Sequence, residues 1–403
     1  MKRLKNGVLS LLSVLAVLSC GEKKPAQEVK LTDKQLLIEI EGQYEMLHTT
    51  ATPHISEENY IPRTINDDGT TRFVGNYNWT SGFYAGSLWY LYGLNNDAKW
   101  KKRAIEYTEK LDTIQYWGGN HDVGFIMECS YGNGIKFSND KAETYDKIIV
   151  QTAKSLATRF VPKAGIIQSW NSSSRWDCPV IIDNMMNLEL MFHATKISRD
   201  STYYQIAVSH ADNTIKNHYR EDNSSIHVLD YDRENGEILQ RKTAQGFKDD
   251  SAWARGQAWG LYGFTVCYRE TKNEAYLKQA KKIANFIKSH PNLPEDQIPL
   301  WDYDVTAEPD TERDASAAAI AASAMIELST FVPEEESKEY LQWAYRILES
   351  LTSKAYRAEV GTNNGFLLKH SVGSIPHNVE IDVPLNYADY YYLEALYRKK
   401  FWF

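Results

Sequence analysis

Asp183 stands in Val180-Ile181-Ile182-Asp183-Asn184-Met185-Met186-Asn187-Leu188-Glu189-Leu190, where one apolar run passes into an apolar helix. Burial among Val180, Ile181, Ile182 and Met186 disfavours an ionised carboxyl and raises its pKa, as a proton donor working near neutral pH requires. The same position suits an ordinary helix N-cap, whose side chain accepts a backbone N–H and whose pKa is drawn down. Taken alone, the segment supports either reading, so residues elsewhere must separate them.

Similar polar groups open other helical stretches. They are Asp122 in His121-Asp122-Val123-Gly124-Phe125, Asp250 and Arg255 in the block from Asp250 to Trp259, Asp314, and Asn386 with Asp389. Some must be caps, because aspartate is a preferred one. Caps alone do not call for Arg255 and two tryptophans beside Asp250. A guanidinium offers a rigid fork suited to a carboxylate, and Trp79, Trp253 and Trp259 offer flat faces on which sugar rings stack. Singly, each tryptophan is equally well core filler and Arg255 equally well the partner of a nearby aspartate. Together they describe a site for an acidic sugar.

Metal ligation is not indicated. His227 falls in a loop strand and His370 precedes the last helix, with neither an HExxH pattern nor Cys/His ligand spacing. There is no GxSxG, no P-loop, and no GxGxxG following a strand, so these other catalytic signatures are absent.

Helical periodicity must position these groups, and it recurs in twelve segments: Thr32–Thr50, Thr80–Tyr92, Ala98–Ile114, Asp122–Cys129, Lys141–Arg159, Asp183–Lys196, Ser201–His218, Ser251–Thr271, Glu274–Ser289, Ala315–Phe331, Glu335–Ala355 and Leu385–Lys399. Odd members carry charge on one face, as surface helices do. Even members are aromatic and small throughout, as in Ala315-Ser316-Ala317-Ala318-Ala319-Ile320. Trp79-x-x-Gly82-x-x-x-Gly86 is echoed by Trp253-x-x-Gly256-x-x-x-Gly260, which suggests equivalent helices in close contact. Strand signals are short, the clearest being a hairpin of Ile226–Tyr231 and Ile238–Arg241 around Glu234-Asn235-Gly236. The alternation predicts an all-α (α/α)6 toroid with six parallel inner helices whose N-termini share one mouth, and a short β-hairpin in a loop.

The chain of 403 residues is 43% hydrophobic and 24% charged, enough for a large core. Lys2, Arg3 and Lys5 precede the apolar run Val8 to Leu18, too short to span a bilayer and read as a signal h-region. Cys20 follows directly, then Gly21 and a polar stretch. This order resembles a bacterial lipoprotein signal, with a plain cleaved signal as the alternative, and predicts a signal peptide over 1–19, lipidation of Cys20, a tether over 20–32 and a catalytic domain over 33–403. The expected address is the periplasm or outer membrane of a Gram-negative cell, reached through the lipid anchor alone. Without Lys2, Arg3 and Lys5 the 45 basic residues fall to 42 against 53 acidic, a net −11, which excludes a general nucleic-acid footprint. Cys129, Cys178 and Cys267 are widely spaced and read as small buried hydrophobes.

With these residues assembled, residues 33–403 resemble the unsaturated glucuronyl hydrolases of glycoside hydrolase family 88. The matching pieces are the His121–Phe125 and Ile182–Leu188 segments, His227, Gln245, the block from Asp250 to Trp259, Arg313-Asp314-Ala315-Ser316-Ala317, and Asp389-Tyr390-Tyr391. The resemblance implies that Asp183 is the general acid/base and Asp122 its essential partner. It also implies that His227, Gln245, Arg255 and Trp259 contact the sugar and that Trp79 and Trp170 form aromatic walls. The implied substrates are oligosaccharides ending in a 4,5-unsaturated uronate, hydrated at C4=C5 without metal or cofactor. Two other readings of the chain are an unsaturated rhamnogalacturonyl hydrolase of the same fold and a glycan-binding lipoprotein; the second has no use for paired aspartates. A standard toroidal glycosidase acting on saturated sugars is a further alternative.

Overall fold

The computed structural model describes residues 32–306, 308 and 311–403. The expected signal peptide, Cys20 and nearly all of the tether lie outside the described residues.

Thirteen helices run through the described chain: α1 (Asp33–Ala51), α2 (Ser81–Asn95), α3 (Ala98–Glu109), α4 (Val123–Met127), α5 (Asn133–Phe137), α6 (Ala142–Ala157), α7 (Leu188–Ser198), α8 (Ser201–Asn217), α9 (Ala254–Thr271), α10 (Glu274–Ser289), α11 (Ala315–Ser329), α12 (Glu334–Thr352) and α13 (Asn386–Trp402). A π-helical turn, Glu128–Gly132, joins α4 to α5, so the two count as one inner helix. The twelve expected segments are thus all present, alternating outer and inner.

Apolar pattern explains the alternation. On α10, Tyr276, Leu277, Ala280, Ile283, Ala284 and Ile287 are buried at helical spacing while its lysines face outward, giving an outer helix. Every residue of α11 is buried, so α11 must be covered on all sides. The inner ring closes as α2, α4/α5, α7, α9, α11, α13 and back to α2, each packed on the next. At Gly82 and Gly86 a Cβ would meet the backbone of the next inner helix, 2.2 Å from Ile126 O and 2.5 Å from Cys129 O. The echoed pair behaves differently: Gly256 meets Trp253 and Gly260 meets Tyr219. The repeated spacing therefore marks close packing at both places but not an equivalent contact.

Several boundaries differ from expectation for tertiary reasons. The second inner helix continues past Cys129 to Phe137 although it contains Gly132 and Gly134; Gly134 seats the Tyr145 ring, so packing overrides weak propensity. The helix expected from Ser251 begins at Ala254, because Ala252 and Trp253 bridge to residues 302–303 in extended backbone. Asp250 is left exposed beside Lys248, outside the mouth.

The strands are β1 (Ile61–Ile65), β2 (Thr71–Val74), β3 (Phe160–Val161), β4 (Ile166–Ile167), β5 (Cys178–Ile181), β6 (Val228–Tyr231) and β7 (Ile238–Lys242). The expected hairpin is β6–β7, its turn carrying Gly236 at φ +80°. It gains a third strand, β5, antiparallel to β6 with Ile181 opposite Val228. That pairing matters for the site, since β5 delivers Asp183 and β6 follows His227.

Candidate active site

Asp183 is not a cap. It lies in a 3-10 turn, Ile182–Asn187, whose start has no side-chain cap, and α7 begins beyond it with Asn187 at its N-cap position. The β5–β6 ladder continues through Ile182 N–H donating to His227 O at 3.0 Å, which brings the two side chains together. His227 Nε2 stands 3.6 Å from Asp183 Oδ2. The proton on that nitrogen is fixed by geometry: the backbone N–H groups of Ala244 (3.0 Å) and Gln245 (3.2 Å) both donate to Nδ1. Backbone amides only donate, so Nδ1 accepts and Nε2 carries the hydrogen. Burial and the nearby Arg255 charge hold His227 neutral, its pKa lowered to about 3.

Asp122 occupies the N-cap position of α4 without capping it. Its Oδ1 lies 3.2 Å from Nε2 of His121. At 9% exposure each, Asp122 and Asp183 are buried yet keep an edge on the funnel. Loss of water is the dominant effect on both, pushing each carboxyl up to about 7. Around Asp183 the Arg255 charge opposes that rise and the charge of Asp122 adds to it. The Trp259 indole N–H also favours the ionised form, although its Nε1 completes no hydrogen bond. Around Asp122 the Asn120 side chain and Arg159 oppose the rise.

The two arginines are not equivalent. Arg255 is sealed, its Nη1 donating to Asp314 Oδ2 (2.9 Å) and Val372 O (2.5 Å), and its Nη2 to Gly373 O (2.7 Å). Arg255 is thus paired with a nearby aspartate, as one of the two sequence readings has it, and ties the 372–373 loop to α9, while its Nε completes no hydrogen bond among the described residues. Arg159 binds only neutral acceptors: Gln168 O, Gly118 O, Ser169 O and Asn171 Oδ1. Its charge is not cancelled by a carboxylate at ion-pair distance among the described residues.

The remaining expected site residues gather on the same mouth. Gln245 sits in the loop that caps His227, with Nε2 3.3 Å from Gly373 O. Half-buried Trp170 stands edge-on to His227 at 6.3 Å between centroids. Trp79 is half-buried against Tyr387 (4.8 Å) and Phe125 (6.1 Å). Trp259 is fully buried, its ring enclosed by Phe125 and Tyr391, so it offers an N–H rather than a stacking face. Of the expected helix-start groups, Asp314 is a true cap, accepting from Ser316 N–H and Ala317 N–H. Asp389 accepts from Leu367 N–H and Leu368 N–H, which anchors a loop. Sequence reading assigned no role to His121, Arg159, Asn184 or Asn187. The two asparagines carry a usable signal, being polar residues three apart in an otherwise apolar run.

No family model matches the chain. A protein of Formosa agariphila named unsaturated glucuronyl hydrolase is 45% identical over 328 residues, 81% of each chain. The chain belongs to the unsaturated glucuronyl hydrolases. An unsaturated chondroitin disaccharide hydrolase of Streptococcus agalactiae is 32% identical over 352 residues, 86% of each chain. The solved structure of an unsaturated glucuronyl hydrolase specific for heparin superposes with TM-score 0.86 at 46% identity, covering 91% of this chain and 97% of that one. The protein is thus a glycoside hydrolase with the (α/α)6 toroid.

In this glucuronyl hydrolase a cavity of about 340 Å³ lies among the inner helices, lined by Tyr90, Glu128, Glu189, Arg269, Glu394 and Arg398 among others. Its arginines are paired internally, Arg269 with Glu189 and Glu327 and Arg398 with Glu327 and Glu394, while Lys136 donates to the Tyr90 hydroxyl. Neither Asp122 nor Asp183 lines it, although Phe125 and Met186 do.

Proposed function

We propose that this hydrolase removes the terminal 4,5-unsaturated uronate from glycosaminoglycan-type oligosaccharides, with Asp183 as general acid/base and Asp122 as its ionised partner. The carrying observation is the pair of buried carboxyls, each raised to about 7, set in unequal surroundings. Unequal carboxyls divide into an acid and a base. Asp122 faces the uncancelled charge of Arg159 and is the one to ionise, which leaves the proton on Asp183.

The substrate is a vinyl ether conjugated to a carboxylate. Asp183 gives its proton to C4, and positive charge develops at C5, shared with the ring oxygen. Ionised Asp122 stabilises that charge in a site with little water. Water adds to C5 and its surplus proton returns to Asp183, so the step consumes one water. The hemiketal then opens and expels the remaining saccharide. Because the anomeric carbon is not attacked, carboxyl separation says nothing of retention or inversion. Trp170 and Trp79 supply walls for the sugar rings, and the Gln245 side chain supplies a polar contact at the rim.

The relatives' names, one acting on chondroitin disaccharides and one specific for heparin, support a sulfated or unsulfated glycosaminoglycan fragment. Following loss of ultraviolet absorbance on lyase-made disaccharides of chondroitin, heparin, ulvan and pectin tests the reading. Consumption of a uronate-ended glycosaminoglycan product is expected; exclusive action on the pectin product would transfer the chain to the rhamnogalacturonyl reading.

We also place the enzyme in the cell envelope, lipidated at Cys20. The h-region from Val8 to Leu18 and the cysteine immediately after it support this. Fractionation of wild type and Cys20→Ala after labelling with a fatty acid tests it: label and membrane association are expected only for the wild type.

A further inference from the structure

His121 is drawn toward Asp122 by residues of the Asp183 segment. Asn187 accepts Phe125 N–H at its Oδ1 (2.9 Å), which fixes the orientation of the amide. Its Nδ2 then faces His121 Nδ1 at 3.0 Å and must donate to it. That places the imidazole hydrogen on Nε2, which stands 3.2 Å from Asp122 Oδ1 without completing a hydrogen bond among the described residues. Asn187 also donates to Asn184 Oδ1 at 3.2 Å, and Asn184 Nδ2 donates to Ile167 O at 2.6 Å, so the relay ends on fixed backbone. Close approach is built in: a Cβ at Gly124 would lie 2.4 Å from Asn187 Oδ1.

We propose that His121 is a positioning residue for the hydration reaction, its Nε2–H keeping Asp122 ionised so that the proton shared with Asp183 resides on Asp183. The inference rests on the proposed roles of the two aspartates. A neutral imidazole can only stabilise a carboxylate by donating, and Asn187 removes the tautomer that could not donate. His227 approaches Asp183 only to 3.6 Å, beyond hydrogen-bond distance and farther than the 3.2 Å at Asp122. The other charges point the same way. Arg159, without a carboxylate partner among the described residues, favours an ionised Asp122, whose charge in turn disfavours ionisation of Asp183, whereas the Arg255 near Asp183 is paired with Asp314.

The test compares wild type with His121→Phe, which keeps the ring and loses the donor, and His121→Gln, which can restore one. In the pH profile of kcat/KM on an unsaturated disaccharide, the acid limb belongs to protonation of Asp122. It is expected to move up by about one unit in His121→Phe, leaving the alkaline limb in place, and to recover partly in His121→Gln. A uniform drop in rate with both limbs unmoved would show a merely structural role and overturn the proposal. A second measurement needs no turnover: carboxyl resonances of the [13C]aspartate-labelled full-length enzyme, assigned with Asp122→Asn and Asp183→Asn. Asp122 is expected to titrate below Asp183, and the opposite order overturns the proposal. If instead the resonances behave as expected while no unsaturated disaccharide is consumed, the functional reading fails and the positioning role stands.

Discussion

His227 presents an N–H, not a lone pair, to Asp183 Oδ2 at 3.6 Å, because its other nitrogen is occupied by two backbone donors from the 244–245 loop. Asp183 therefore faces a neutral donor that is itself held by a loop. Chemistry at Asp183 and order in that loop should rise and fall together.

Replacing His227 with phenylalanine removes the Nδ1 acceptor and frees the amides of Ala244 and Gln245. Turnover is expected to fall on the order of a hundredfold. Amide hydrogen exchange should speed up at 244–245 while the β6–β7 ladder stays protected; unchanged exchange there would refute the link between loop and acid.

Asp183→Asn is expected to lower kcat by about a thousandfold or more with circular dichroism unchanged. The same change should stabilise the fold at pH 8. The folded pKa is raised from 3.8 to about 7, so the carboxyl's favourable contribution is full below pH 3.8 and is lost as pH rises through 7. A neutral amide escapes that loss. Tm is expected to rise by about 2–4 °C at pH 8 and to match wild type near pH 4.

Two carboxyls near 7 that share a site titrate as a pair, one step below and one above. The active form carries one proton. The profile of kcat/KM should be a bell about neutrality, falling in acid as Asp122 protonates and in alkali as Asp183 ionises. Asp122→Asn is expected to abolish the acid limb in whatever activity remains.

Arg255 and Asp314 form an ion pair with both side chains buried, and the guanidinium also fastens two loop carbonyls. Arg255→Ala strands the Asp314 charge and is expected to cost about 3–5 kcal/mol in a urea titration. Arg255→Lys keeps the charge but cannot reach Asp314, Val372 O and Gly373 O together, so it should recover only part of that stability.

Much of this molecule is legible in order along the chain. Periodicity marked all twelve helices and separated the buried-all-round inner helices, such as α11, from the one-sided outer ones, such as α10. Those features are local: burial demand is written in consecutive residues. The hairpin was legible for the same reason, its turn and both strands lying within a few residues of one another.

What the sequence by itself determined is therefore the toroid, the shared mouth and the carboxyls that face it. Tertiary structure decided what those carboxyls can do. Whether Asp183 caps a helix or faces His227 depended on β5 pairing with β6, and the charge balance on Arg159 being left without an acid among the described residues while Arg255 is given one. The His121 tautomer depended on Asn187, 66 residues away. A proton's position is set by contacts of a few ångströms between distant segments, and no periodicity along the chain encodes them.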